Sequence, residues 1–502
     1  MTRILSVFKF LKRVGFAFLV LGDVAYGQPD SLWTQFYSNY PQEGLTSVIQ
    51  TTDSGFLITG QTWVSVESGF DGWLIKTDPD GDTVWTRFSR LPGSDSFLDV
   101  VETEDGYWVI GVVPDSLDGG NDAALLSFSS LGELQWMHRY SWRRTISVEG
   151  FVQLTDGSFV FTGNTTSEGD TTTYAHLTKL SRDGVFLWTR EYIWEGRPAA
   201  HGAPFPKDVA ETENGGFVMA GLVVFADSGS GIDQQACLLR ADSTGNLLWK
   251  RDYGGVGDAD VFYSVISFLP FGGIVASGTT GTTIGWSDDF YVVRLDTGGD
   301  VVWVRTLGWR FYDEAFDMTT LEARNVLVMG IRDMSPFQND FIWLVKLDEL
   351  GEVVWDLSID LTNPNNGSET AHSVRRTLNG GFVIGAERSI LGDEDLAVIR
   401  LGPDITSSLP EPGVPLPQDF ALSVFPNPFN STLRISLDAP LHSDVNVLLY
   451  DLLGREVDVV YRGRVVSNTI SYAAPAGMAS GVYFLKAESR GVSVMRKVVL
   501  LR

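Results

Sequence analysis

Disulfide chemistry is absent from this chain: Cys237 is the only cysteine in 502 residues, so no intrachain bridge can form. It lies in the apolar stretch "QACLLRAD", where a buried, inert thiol is expected rather than a nucleophile. Stability therefore has to come from packing. Histidine is nearly as scarce. His138, His176, His201, His372 and His442 stand singly, with no HxxxH or HExxH pair, which argues against zinc hydrolysis. No GxSxG elbow and no phosphate-binding P-loop occurs either. Basic charge is in short supply: 37 Lys and Arg face 63 Asp and Glu, a formal charge of -26 that repels nucleic-acid phosphates and anionic lipid surfaces. The sequence thus points to no catalytic residue, no metal, no cofactor and no nucleic-acid partner. Long apolar runs are missing too. The one run near the N-terminus, Val14 to Gly22, is too short to span a bilayer.

That short run has a different reading. Arg3, Lys9, Lys12 and Arg13 precede it, and the small residues Ala25 and Gly27 follow at cleavage spacing, which predicts a secretory signal peptide over residues 1–27. The rest of the chain is rich in core material, with 44% hydrophobic and 12% aromatic residues, and in turn material, with 53 glycines. Its length calls for two or more domains.

The stretch "DGWLIKTDPDGDTVWTRF", Asp71 to Phe88, raises the question of a metal loop at Asp78–Asp82. Its turn and tryptophan recur as "SLGELQW", "RDGVFLW", "STGNLLW", "TGGDVVW" and "ELGEVVW", ending at Trp136, Trp188, Trp249, Trp303 and Trp355. Only the glycine and the tryptophan persist in every copy, and the carboxylates a calcium loop needs come and go. A tight turn is the better reading.

Around each turn lies a longer unit of four short strands. The second strand recurs seven times, from "SGFLITG" (54–60) to "GGFVIGA" (380–386), and the third also recurs, ending with "LAVIRLG" (396–402). Such a sheet buries two faces and cannot stand alone, so the units are expected to stack radially as a seven-bladed β-propeller over residues 28–403. The seventh unit has no tryptophan strand, whereas "SLWTQFY" around Trp33 opens the chain without partners. That N-terminal strand is expected to close the ring and remove the edge. The tryptophans at 33, 85, 136, 188, 249, 303 and 355 read as packing between blades. Asp71, Asp122, Asp289, Asp340 and Asp395 at the start of the third strand, and Lys76, Lys179, Arg240, Arg294, Lys346 and Arg400 at its end, read as structural hydrogen-bonding groups.

First-to-second and third-to-fourth connections share one face of such a disc and are uniformly short here. The other two vary; the Trp188–Trp249 interval is 61 residues against 51 or 52 for most others. Variable loops mark the binding face. It is expected to carry Trp63, Trp142, Trp194, Trp286 and Trp309 with Arg310 and Tyr312, rings and polar groups that suit sugars; the alternative is that these rings tuck under their own loops.

After Gly402 comes "PDITSSLPEPGVPLPQ", a proline-rich linker over 404–419, and then alternating strands broken by Pro, Asn and Gly over 420–502, suited to a small β-sandwich. Residues 420–502 hold nine Lys and Arg against six Asp and Glu, so the acidity belongs to the first region. Four motifs in order, "FPNPFNSTLRI" with Pro426, Asn427 and Pro428, "LYDLLGREV" with Asp451 and Gly454, "GVYFLK" with Gly481 and Tyr483, and "RKVVLLR" with Arg496 and Lys497, resemble the type A C-terminal sorting domains of the type IX secretion system. The resemblance implies an Ig-like sandwich that engages the type IX machinery and directs export across an outer membrane, to the surface or the medium. The repeats resemble secreted bacterial proteins with "DGGF...TG...D.W..K.D..G...W" units, and "ADSTGNLLW" is similar to the tryptophan-docking repeat of quinoprotein dehydrogenases. These similarities imply an architecture, not an activity.

The sequence therefore describes an all-β, exported, monomeric protein that binds a glycan or a surface protein. A polysaccharide-acting enzyme and a purely structural envelope component stay open as alternatives.

Overall fold

The computed structural model describes residues 29–404 and 421–501, except 40–41, 66–68, 116–119, 143–144, 167–171, 198–199, 228–230, 255–257, 269–272, 283–287, 309–311, 334–339, 363–366, 391–392, 426–428, 439–443, 452–454, 465–468, 476 and 490–491. The expected signal peptide and all but the first residue of the expected linker fall outside it. The chain divides into two compact units, residues 1–407 and 408–502. Among the described residues both are all-β, with a single turn of 3-10 helix at Glu322–Arg324.

In the first unit the strands form three four-stranded and two nine-stranded sheets. Each nine-stranded sheet is a pair of antiparallel ladders joined by one parallel contact, Thr145 with Asn121 or Gln234 with Ala259. The basic ladder is seen in Glu43–Gln50, Phe56–Ser65, Gly69–Thr77 and Thr83–Phe88, paired in sequence order. The second and third strands read as near-continuous apolar runs because neighbours cover both of their faces; Phe56, Leu57, Ile58 and Leu74 are fully buried. The last ladder takes its outer strand from the other end of the chain. Ser31–Tyr37 pairs antiparallel with Asp393–Leu401, and the Gly402 amide donates to the Asp30 carbonyl at 2.8 Å.

The acidic turn is a backbone device. Asp78 Oδ1 accepts the amides of Asp80 and Asp82 at 3.0 and 2.9 Å, and Gly81 supplies the left-handed φ of +86°. Asp242, Asp296 and Asp348 repeat these bonds, and Ser129 and Ser181 use a hydroxyl instead.

Each turn glycine is also a docking point for the preceding repeat. A Cβ on Gly81, Gly132, Gly184, Gly245, Gly299 or Gly351 would come within 2.8–3.3 Å of the ring of Trp33, Trp85, Trp136, Trp188, Trp249 or Trp303 respectively. The hydroxyls of Tyr37, Tyr140, Tyr192 and Tyr253 donate to the carbonyls of Gly81, Gly184, Gly245 and Gly299. Arg87 and Arg305 lie over the tryptophan ring two residues back and bond the carbonyls of the next turn, Arg87 to Gly132 and Leu131, Arg305 to Gly351 and Leu350. One fourth strand thus clasps the next turn through stacking and hydrogen bonds together. Trp355 meets no such turn; its ring is 5% exposed and packs into the core with Phe382, Ile399 and Leu401.

The recurring glycine inside the second strand has a separate setting. The first strands carry β-bulges between Leu45 and Ser47, Phe97 and Asp99, Pro206 and Asp208, Phe262 and Ser264, Ala315 and Asp317, and Ala371 and Ser373. At five of these bulges the strand lies close on its partner, where a Cβ at Gly60, Gly111, Gly221, Gly278 or Gly330 would sit 1.8–2.3 Å from a first-strand carbonyl oxygen; at the sixth Ala371 faces Ala386. The bulged residue is turned out of the ladder and becomes available for other work.

The second unit contains a three-stranded and a four-stranded sheet over one core that includes Leu433, Ile435, Val447, Leu449, Leu485 and Val498. Asp451 caps the "YDLLGRE" hairpin, its Oδ1 accepting the Arg455 amide at 3.0 Å and its Oδ2 the Arg455 Nε at 2.7 Å. Gly481 opens the strand Gly481–Ser489, in which Tyr483 is buried and donates to the Ala479 carbonyl at 2.8 Å. Arg496 and Lys497 are exposed on the last strand, opposite Leu485 and Phe484. Pro426, Asn427, Pro428 and Gly454 lie outside the described residues.

Candidate functional site

The bulges bring one residue from each repeat to a common cavity. Thr46, Leu98, Lys207, Tyr263, Phe316 and His372 are the bulged residues, and Glu149 holds the equivalent place before Gly150; all seven line a cavity of about 420 Å³ together with Gly44, Gln61 and Glu387. Those on first strands range from Leu98, third in Ser96–Thr103, to Lys207, eighth in Ala200–Glu211, and Gln61 stands in the middle of the second strand Phe56–Ser65. The cavity forms one mouth of a channel whose lining continues onto Asp99, Asp208, Asp317 and Arg375.

Its walls differ in chemistry around the ring. Tyr263 and Phe316 form an aromatic wall, with ring centroids 5.4 Å apart and planes tilted by 53°. Lys207 Nζ lies 3.1 Å from Glu149 Oε2, and His372 Nε2 lies 3.2 Å from Glu387 Oε1. Glu387 Oε1 also accepts the Leu45 amide, which ties this side chain of the last ladder to the first strand of the first. Thr46 Oγ1 donates to the Phe97 carbonyl at 2.8 Å.

One residue deeper the lining turns acidic. Asp99, Asp208 and Asp317 follow their bulges directly, and with Arg375 they line both a narrower space of about 180 Å³ below the mouth and a cavity of about 480 Å³ beyond it. The carboxylates clip neighbouring ladders together. Asp208 accepts the amides of Val209 at 2.7 Å and Val265 at 2.8 Å, and Asp317 those of Met318 and Val374, both at 2.8 Å. Arg375 Nη1 donates to Asp317 Oδ2. Solvent reaches these groups through the channel, but protein surrounds them: burial raises the Asp99 carboxyl and pushes Asp208 up to about 7, while Asp317 chiefly keeps the Arg375 guanidinium above its ordinary range.

Acids also recur three residues before the bulge. Glu43, Asp95, Asp260, Asp313 and Glu369 are all buried there. Asp95 accepts the Gly72 amide at 2.9 Å and Glu369 the Ile342 amide at 3.3 Å, so they join the start of a ladder to the third strand of the ladder before it. Among the described residues no group of three or more His, Cys, Asp or Glu is placed to hold a metal ion.

The aromatic residues singled out from the sequence sit elsewhere. Trp63 is half-buried and meets its own ladder's Phe70 edge-on at 5.1 Å. Trp142 is half-buried and packs against His176, Phe161 and Phe186. Trp194 is 4% exposed, with Lys250 Nζ 5.4 Å from its ring. Tyr312 is 41% exposed. Trp286, Trp309 and Arg310 lie outside the described residues, and none of the four described ones lines the mouth cavity. The bulged ring escaped sequence reasoning, although a signal exists. Between an apolar residue and Ser, Asp or Gly, in "LTSV", "FLDV", "VEGF", "PKDV", "FYSV", "AFDM" and "AHSV", one position changes in every copy.

Residues 423–501 match the family model of the secretion system C-terminal sorting domain. This is the type IX sorting domain; it implies interaction with the type IX machinery and export to the cell surface or secretion. No curated protein matches the chain. Among solved structures, a fungal alcohol oxidase of the AA5 family in complex with copper aligns over 95% of this chain and 100% of its own, at 13% identity and a TM-score of 0.45. The β-propeller domain of the Trilobed protease from Pyrococcus furiosus aligns over 71% and 93%, at 8% identity and 0.41. An α-L-arabinanase from Penicillium chrysogenum, complexed with arabinobiose, aligns over 60% and 94%, at 9% identity and 0.39. Similarity this low fixes neither a ladder count nor a ligand.

Proposed function

We propose that this protein is an exported binding module: a seven-bladed β-propeller, closed by its N-terminal strand, that holds a glycan or a surface protein at its channel mouth. The signal peptide over 1–27 serves the first export step and is cleaved near Gln28. An Ig-like sandwich over 420–502 serves the second, and the product works as a monomer at the surface or in the medium.

One observation carries the binding reading. Seven different side chains, one per repeat, converge on one cavity of about 420 Å³, within the usual range for ligand sites of about 300–1,000 Å³. A scaffold with no ligand has no need to vary the one inward position while repeating its neighbours. A second reading has support from Glu149 and Glu387, two carboxylates lining the same mouth, the minimum that glycoside hydrolysis requires.

Two experiments test this. In a host with type IX secretion, the full chain is expected to reach the surface or medium, and a chain lacking residues 423–501 to stay inside; equal export of both removes the sorting role. The full chain is then passed over immobilised polysaccharides and envelope proteins, with reducing ends measured alongside. Retention without new reducing ends supports binding. Reducing ends that vanish in Glu149→Gln or Glu387→Gln move the enzyme reading to first place.

A further inference from the structure

We infer that the mouth takes the terminal unit of an uncharged saccharide, a deduction that rests on the binding reading above. The argument concerns what the ring leaves unpaired. Lys207 faces Glu149 at 3.1 Å, His372 faces Glu387 at 3.2 Å, and Arg375 is bonded to Asp317 one layer down. Lys207 and Arg375 thus already have carboxylate partners, and the His372 imidazole stands beside Glu387 without a hydrogen bond from Nε2. An anionic ligand would have to separate one of these pairs to gain a cation for itself. A cationic ligand gains little from those deeper carboxylates, since backbone amides and Arg375 already occupy them. It would also meet Lys207 at the entrance.

An uncharged polyol meets none of these penalties. Paired side chains keep spare lone pairs and N–H groups, so Glu149, Glu387, Lys207 and Gln61 can bond hydroxyls without surrendering their partners. Tyr263 and Phe316 supply the apolar surface on which the C–H face of a pyranose packs. The floor decides how such a chain enters. Below the ring lies a smaller space of about 180 Å³ in which Arg375, bonded to Asp317, stands among the aspartates. A saccharide therefore enters end-on and stops, and the mid-chain units of a polymer stay outside.

The test uses the full chain in titration calorimetry against neutral oligosaccharides, their uronate and sulfated counterparts, an amine-bearing saccharide and a basic peptide. Neutral oligosaccharides are expected to bind, with affinity falling by about tenfold or more in Tyr263→Ala and Phe316→Ala while thermal unfolding is retained. Capping the terminal unit chemically is expected to abolish binding, and internal polymer length to leave it unchanged. Preferential binding of an anionic saccharide, lost in Lys207→Met, overturns the ligand class and leaves the mouth as the site. Binding insensitive to both aromatic variants but lost in Trp63→Ala or Tyr312→Ala overturns the mouth itself. Binding of the basic peptide alone, at the mouth, overturns the saccharide and keeps the protein-ligand form of the binding reading.

Discussion

The outer and inner parts of the same ladder obey opposite rules. At the outside, the fourth strand presents Trp to a glycine turn in the next repeat, and six pairs do this with the same two residue types. At the inside, the equivalent inward position presents Thr, Leu, Glu, Lys, Tyr, Phe and His in turn. Packing one ladder on the next is one physical problem solved repeatedly, so its residues repeat. Recognition is solved once, by the ring as a whole, so its residues differ.

The most damaging way to break that comparison is at the clasp. Trp303 stacks on Gly351, lies under Arg305 and donates from Nε1 to the Glu349 carbonyl at 3.2 Å. Trp303→Ala is expected to cost about 3–5 kcal/mol in chemical denaturation, as for other large aromatic truncations. It is expected to leave saccharide affinity of the folded fraction unchanged, since the ring lies far out along the ladder. A loss below about 1 kcal/mol, comparable to a surface change, would show that the clasp is incidental.

Proton linkage gives the next largest effect, and it belongs to the repeated acids. Burial is the chief cause that raises Asp95 to about 6 and Glu369 to about 7. A carboxyl whose pKa is raised on folding keeps its proton longer in the folded chain. Its contribution is complete below about pH 4 and is lost as pH rises through 6 to 7. For Glu369 the rise from 4.5 to about 7 corresponds to about 3 kcal/mol at about 1.4 kcal/mol per unit. Unfolding free energy is therefore expected to fall between about pH 4 and 7, and Glu369→Gln to flatten that fall. A profile flat across this window in the unaltered chain refutes the assignment.

Much of the outer rule was legible in the sequence, and little of the inner one. Turn glycines and tryptophans announce themselves because the chain prints them again and again, and the carboxylate at Asp78 reads as a turn once Ser129 and Ser181 are seen to replace it. The unpartnered strand around Trp33 and the missing one after Gly402 likewise show in the repeat count, and Ser31–Tyr37 pairs with Asp393–Leu401. The bulge is harder. It is one extra residue in a strand relative to its partner, and no residue type marks it; its traces are the changing position before Ser, Asp or Gly and, at five of the six bulges, a glycine on the second strand, which passes for a turn signal. A search for conspicuous rings led to Trp142 and Trp194, which serve the core, whereas the mouth uses Tyr263 and Phe316 inside strands that look ordinary.

The smallest change in stability is expected where the change in selectivity is largest. Lys207 is 31% exposed and its bond to Glu149 spans 3.1 Å, so as a half-exposed pair it contributes less than about 1 kcal/mol to folding. Lys207→Ala should leave the denaturation midpoint within that margin. It removes the one lysine on the ring and frees Glu149, so the mouth passes from internally balanced to net acidic while the aromatic wall stays in place. Affinity for a neutral oligosaccharide should fall modestly. Affinity for an amine-bearing one should rise, and the gain should shrink with added salt because the freed carboxylate acts through a field that ions screen. If instead both ligands weaken equally at every salt concentration, Lys207 is holding the shape of the mouth rather than its charge, and the paired-charge argument for an uncharged ligand loses its footing.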